Sequence, residues 1–253
     1  MLVFRYDKSF EGLLTAVFDA YFRKTFPERL LSPAEPEPMF TSEIHTVVTQ
    51  GGKAGRVWRG LEKKLSKNVC NMLMHVWLSE EEGSDELLFR YMRKAFDAPH
   101  SIAANFADPD VLDVQKTALK VSREGEHVRQ FVRFQKAADG TFFAPVAPKY
   151  NALPLAVSYF KDRFADQQWF VYDTRRYYGY YYDLRKVTEV TMEDDAHLLD
   201  GKLDENMMSS DEKLFQELWK NYFKAMAIKE RINPKLQRQH MPRRFWKYLV
   251  EKQ

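Results

Sequence analysis

FVRFQKAADGTFFAPVAPKYNALPLAVSYFKDRFADQQWFVYDTRRYYGYYYD, residues 131–183, decides the fold class, because strand-like and helix-like periods follow one another within it. FVRFQ alternates, Asp139-Gly140 is a hairpin turn signal, and TFFAPVAP pairs back, which predicts a hairpin over about 131–147. Leu155, Val157, Tyr159, Phe160 and Phe164 place a helix over Pro154 to Phe164. Trp169 to Asp173 and Tyr178 to Asp183 read as strands around a turn at Arg175 to Tyr177, and Val187 to Met192 adds another.

Upstream, helices dominate. Residues 1–6 read as a short strand. Phe10, Leu13, Leu14, Val17, Phe18 and Tyr21 then recur at helical spacing behind Ser9, a suitable N-cap. SPAEPEP (32–38) is a rigid loop, and EIHTVVTQ (43–50) is a β-branched stretch that predicts a strand ended by Gly51-Gly52. Helices are expected from there to about residue 65, with Trp58 on the buried side, then over 68–78, 85–96 and 108–130. Downstream, 193–217 carries nine acids against two lysines. Its first part reads as a loop and its end as a helix capped by Ser210, with Leu214, Phe215, Leu218, Trp219, Tyr222 and Phe223 on the apolar face. Pro234 and Pro242 divide the tail into two short helices.

The expected architecture is a single α+β domain over 1–253. It has a small, mostly antiparallel sheet packed with several helices, and a basic helical C-terminal segment. Residues 1–130 form the mostly helical half, 131–192 the strand-rich block, and 193–253 the acidic loop plus basic tail.

Composition excludes several classes. The chain has 253 residues, 45% hydrophobic and 30% charged, as in ordinary globular proteins. Cys70 is the single cysteine, so no intramolecular disulfide forms, and its apolar helix suggests an inert core thiol. MLVFRYDKSF is not a secretory signal, and the apolar runs are far too short for a membrane helix, so a cytoplasmic protein is expected. The six histidines are widely separated and Cys70 has no CxxC partner, which argues against a metal site or other cofactor. Glu193, Asp194 and Asp195 could hold Mg²⁺, but consecutive acids point in different directions, as in a solvated loop.

Positive charge is local. Between Lys229 and Gln253 eight Lys/Arg face two acids, a net +6, while the whole chain carries +3. Such a cluster reads as an anion-facing surface, here Arg238, His240, Arg243, Arg244 and Lys247, with Phe245, Trp246 and Tyr248 either stacking on bases or anchoring the tail. A second cluster, Lys53, Arg56, Arg59, Lys63, Lys64 and Lys67, opposes only Glu62. The Gly51-Gly52 start of its helix lets a phosphate approach backbone N–H groups, or it is simply a strand-to-helix turn below a solvated basic face. It is not a P-loop, since GxxxxGK[ST] is absent. A third candidate is Arg175-Arg176 beside Tyr178, Tyr180, Tyr181 and Tyr182, where guanidiniums and rings suit single-stranded nucleic acid. Lys149-Tyr150-Asn151 reads as a helix cap.

Four stretches resemble a bacterial family of DNA metabolism or DNA repair proteins built on a domain of unknown function: YDKSFEGLLTAVFDAY (6–21), RVWRGLEKKLS (56–66), the block 131–183, and ERINPKLQRQHMPRRFWKYLVEK (230–252). That family accompanies radical-SAM proteins of DNA repair type and in some actinobacterial proteins is fused to a uracil-DNA-glycosylase-like domain. The resemblance implies a DNA-related role and a radical-SAM or glycosylase-like partner, and it supplies no catalytic residues. Two readings follow. One is an accessory protein that binds DNA and presents it to a partner enzyme. The other is an enzyme on nucleic acid, a nuclease or base-processing activity, motivated by Asp173, Asp183 and Glu230 beside the basic clusters.

Overall fold

The computed structural model describes residues 1–191, 198–199 and 202–252. It is a mixture of helices and small open sheets, and its contacts fall into two compact units, Met1–Val121 and Ser122–Gln253. Among the described residues no helix is long and apolar enough to cross a membrane.

The first unit is built on a three-stranded, wholly parallel sheet. Its centre is β1 (Leu2–Arg5), flanked by β2 (Arg29–Leu31) and β3 (Glu43–Thr46). A central parallel strand is covered on both faces, so neighbouring residues are buried alike; Val3 and Phe4 are both fully buried. Between β1 and β2 runs α1 (Phe10–Arg23), where Ser9 accepts the Gly12 N–H as expected of an N-cap. Its apolar side, Leu13, Leu14, Val17 and Ala20, enters the core. The helices α2 (Gly51–Lys64), α3 (Lys67–Trp77), α4 (Ser84–Asp97) and the first part of α5 (Pro109–Phe131) complete it. Trp58 is only partly buried, its ring edge-on to Phe10 at 5.7 Å. Cys70 is buried, and burial, with the Glu62 charge behind it, pushes its thiol pKa up.

Asp110, in the first turn of α5, accepts a 3.0 Å hydrogen bond from Arg90 and lies 2.7 Å from Lys94 Nζ. Burial would raise its pKa, but the bonds and charges of Arg90 and Lys94 outweigh that and hold the carboxyl below its ordinary range. A depressed carboxylate contributes stability above its unfolded pKa and loses it as pH falls through the folded value. Asp110→Asn is therefore expected to cost about 1 kcal/mol at pH 7, discounted because both cations are partly solvated. The difference from the parent should shrink on acidification to about pH 3, below the ordinary carboxylate pKa. Thermal melts at both pH values test this, and a deficit independent of pH contradicts it.

The second unit holds a five-stranded mixed sheet in the order of the chain: β4 (Gln135–Lys136), β5 (Phe142–Val146), β6 (Trp169–Asp173), β7 (Tyr178–Tyr182) and β8 (Val187–Thr191). Only β5 and β6 are parallel, so α6 (Val157–Arg163) and the short turn before it form the crossover that a parallel pair needs. The expected single sheet is thus two. The expected hairpin is also shorter, because FVRF does not enter it. Val128, Phe131 and Val132 continue the buried side of α5 instead. The turn at Asp139-Gly140 is present, with Gly140 at φ 87°. Gly179 in β7 is obligatory, since a Cβ there would lie 2.3 Å from the Val171 carbonyl on the adjacent strand.

One sheet face carries Trp169, Val171 and Tyr182 into the main core with Val128, Phe131 and Phe160. The other carries Phe143 and Tyr172 against Leu203, on β10 (Lys202–Leu203), which pairs antiparallel with β9 (Leu198–Leu199). The acids Glu193, Asp194 and Asp195 lie outside the described residues. Last come α7 (Glu212–Met226), which starts behind Asp211 rather than Ser210, and α8 (Pro234–His240), followed by a 3-10 turn over Arg243–Tyr248.

Candidate nucleic-acid interface

In the first unit the basic side of α2 divides into paired and free cations. Lys53 donates to Asp19 at 2.8 Å, and His45 meets the same carboxylate at 2.9 Å. Lys64 donates to the carbonyls of Ala95 and Ala98, closing the C-terminus of α4, where the helix dipole favours a cation. Arg56, Arg59 and Lys63 are exposed and, among the described residues, have no carboxylate partner; Arg56 lies over the Phe18 ring at 5.1 Å. At the start of the helix no side chain caps it and a Cβ on Gly51 or Gly52 would meet open space, so its first N–H groups are approachable.

In the second unit the turn between β6 and β7 is organised by Asp173, which is fully buried. Its Oδ1 accepts the backbone N–H of Arg175 at 2.9 Å and of Arg176 at 3.3 Å, and its Oδ2 accepts Arg176 Nη1 at 2.9 Å. Burial raises the Asp173 pKa, against the pull of these donors. Arg176 also donates to the carbonyls of Pro148 and Lys149. It is a clamp between this turn and the 147–151 loop, while Arg175 donates to Lys149 O and stays exposed. Tyr178 donates to Asn151 Oδ1, and burial raises its hydroxyl pKa. Asn151 is therefore tied to β7 and caps no helix, and Tyr150 is buried. Of the tyrosine run, Tyr182 is buried beside Trp169, while Tyr178 and Tyr180 are half-buried with rings edge-on at 5.8 Å.

The tail is anchored by aromatics. Phe245, Tyr248 and Leu249 are buried, and Phe245 packs on Phe131 at 5.5 Å. Trp246 donates its indole N–H to Met241 O and is half-buried. Arg244 pairs through Nε and Nη2 with both oxygens of Glu124. Arg238, His240, Arg243 and Lys247 are exposed; among the described residues Arg238 and Arg243 have no carboxylate partner, and Arg243 lies over the Trp246 ring at 5.7 Å.

Glu124 is the residue that sequence reasoning missed. It is almost fully buried, accepts the Lys149 N–H at 2.7 Å, and holds Arg244. The signal was available: Glu124 falls in the buried register of α5 with Val121, Val128 and Phe131, where an acid requires a cation. Among the described residues no three His, Cys, Asp or Glu side chains gather into a metal site.

The family model of DUF4130, a domain of unknown function, matches residues 82–251. No curated protein matches the chain. A solved pGpG-specific phosphodiesterase from Vibrio cholerae is similar at 12% identity and a TM-score of 0.31, over 89% of this chain and 99% of that one.

Proposed function

The chain belongs to the DUF4130 family, and with the geometry above we propose that it is a DNA-binding accessory protein of DNA metabolism or repair, one that presents nucleic acid to a partner enzyme. The observation that carries this reading is the anchored tail. Phe245, Tyr248 and Leu249 fix the backbone in the second core, so Arg243, in the same turn, is held out to solvent with no carboxylate partner among the described residues. A cation without an internal partner on a fixed support is what a phosphate contact needs. Arg56, Arg59 and Lys63 present a second such surface. A radical-SAM or glycosylase-like protein is the partner class that the sequence resemblance suggests. The competing enzymatic reading gains little from two of the three acids that motivated it, and the third, Glu230, is exposed. Asp173 is committed to its turn, and Asp183 accepts the N–H groups of Arg185 and Lys186.

Titration of labelled single- and double-stranded DNA at increasing salt tests the proposal. Arg243→Glu should weaken binding to all sequences and flatten the slope of log K against log salt by about 0.9 on duplex or about 0.7 on single strands. Its melting temperature should stay unchanged. Unaltered affinity and slope would remove the tail from the interface, and Mg²⁺-dependent cleavage or base release by the pure protein would move the reading to an enzyme.

A further inference from the structure

Amphipathic helices bury their apolar stripe, and α7 does not. Phe215, Trp219, Tyr222 and Met226 recur at 4-3-4 spacing on one side of it and are 57%, 41%, 55% and 63% exposed, with Leu214 and Leu218 widening the stripe. The apolar strip continues past the helix through Ile228, Ile232 and Leu236, all about half exposed. Phe215 and Trp219 also form one wall of a groove of about 790 Å³, whose other apolar walls include Phe134 and Phe164 and whose rim carries three cations against Asp211 and Glu212. Arg163, at the same groove, lies over the Phe164 ring and has no carboxylate partner among the described residues.

We propose that this stripe and groove dock an acidic amphipathic helix of a partner protein. Spacing supplies the first argument, because exposed apolar residues at i, i+4, i+7 and i+11 match the side-chain repeat of a second helix laid alongside. Charge supplies the second. Residues 214–236, the span of the strip, contain five Lys/Arg against Glu217 and Glu230, a net +3. A second copy of this chain would bring like charge against like charge, whereas acids flanking the partner's apolar stripe would be neutralised. Phe215, Trp219 and Tyr222 are flat rings, but the larger share of the strip, Leu214, Leu218, Met226, Ile228, Ile232 and Leu236, offers none to a nucleobase. The inference needs only this surface and stands whether or not the tail binds DNA.

The test uses the full chain and a labelled synthetic peptide, about 18 residues long, with Leu at helical three-and-four spacing and Glu and Ala elsewhere. A scrambled peptide of the same composition is the control. By fluorescence anisotropy the patterned peptide should bind at least about tenfold more tightly than the scrambled one, and Leu218→Ser with Tyr222→Ser should abolish the difference. Both substituted residues are more than half exposed, so the melting temperature should hold, and DNA affinity should also be unchanged. Equal binding of the two peptides, or none, overturns the proposal. So does a dimer of the chain that the double variant dissociates, or displacement of the peptide by oligo(dT) together with loss of DNA binding in the variant.

Discussion

Arg176→Met should destabilise the chain by about 3–5 kcal/mol, the cost of stranding a buried charge after its partner is removed. Asp173 has no exposure at all, and Arg176 itself is only 11% exposed, so solvent cannot stand in for the missing guanidinium. The carboxylate would keep only the N–H groups of Arg175 and Arg176. Adding Asp173→Asn should recover much of the loss, since an amide oxygen can accept the same N–H groups without a charge. The pH dependence has a definite sign. A carboxyl whose pKa is raised by folding contributes stability below its unfolded pKa and loses it as pH rises through the folded value. The direction at Asp173 is upward, and removing Arg176 pushes it further. The single variant should therefore recover relative to the parent on acidification toward about pH 4. Urea unfolding of parent, single and double variants at pH 7 and pH 4 reads this out. A deficit under about 1 kcal/mol at pH 7, or one unchanged by pH, would show that Asp173 does not depend on the guanidinium.

Arg244→Met should cost about 2–3 kcal/mol while its neighbour, Arg243→Met, stays within about 0.5. The two stand side by side in a basic run, yet only Arg244 meets a buried acid, Glu124. The value lies below the usual range for a broken buried pair because Arg244 is 38% exposed and Glu124 retains the Lys149 N–H. Glu124→Gln in the same background should restore most of the stability. Equal melting temperatures for the two arginine variants would refute the assignment. The result also governs how binding data are read: weaker DNA binding by an Arg244 or Arg176 variant reports lost structure, whereas the same loss in Arg243→Glu reports a lost contact.

The sequence carried the helices and the strands of 169–191 well, because their periods are local. β2 left no such mark. Arg29–Leu31 is three residues between a proline and a proline-rich loop, and it is a strand only because β1 pairs with it. The parallel pairings of β1 with β2 and β3 join segments over twenty residues apart, and nothing in either segment encodes the partner. FVRF was misread because Phe131 and Val132 fit an alternating strand as well as the last turn of a helix, and the choice is made by the core they enter. The basic clusters were legible as charge but not as roles. The partner of Arg176 is three residues away, at Asp173, and could have been noticed. That of Arg244 is 120 residues away in sequence, beyond any local pattern. The apolar stripe of α7 was read correctly as a pattern, but whether it faces a core or solvent depends on packing that sequence does not reveal.

The burial of Phe245 and Leu249 beside Phe131 sets a timetable for biosynthesis. Phe131 leaves the peptidyl-transferase centre 118 positions before Leu249 is added, and at about 5–20 residues per second that interval is roughly 6–24 s. The first core needs nothing beyond Ala118 and can close during this time. The second must wait with Phe131, Phe160 and Trp169 lacking their last neighbours, so a nascent chain halted before residue 245 offers an apolar surface to chaperones that the finished chain hides.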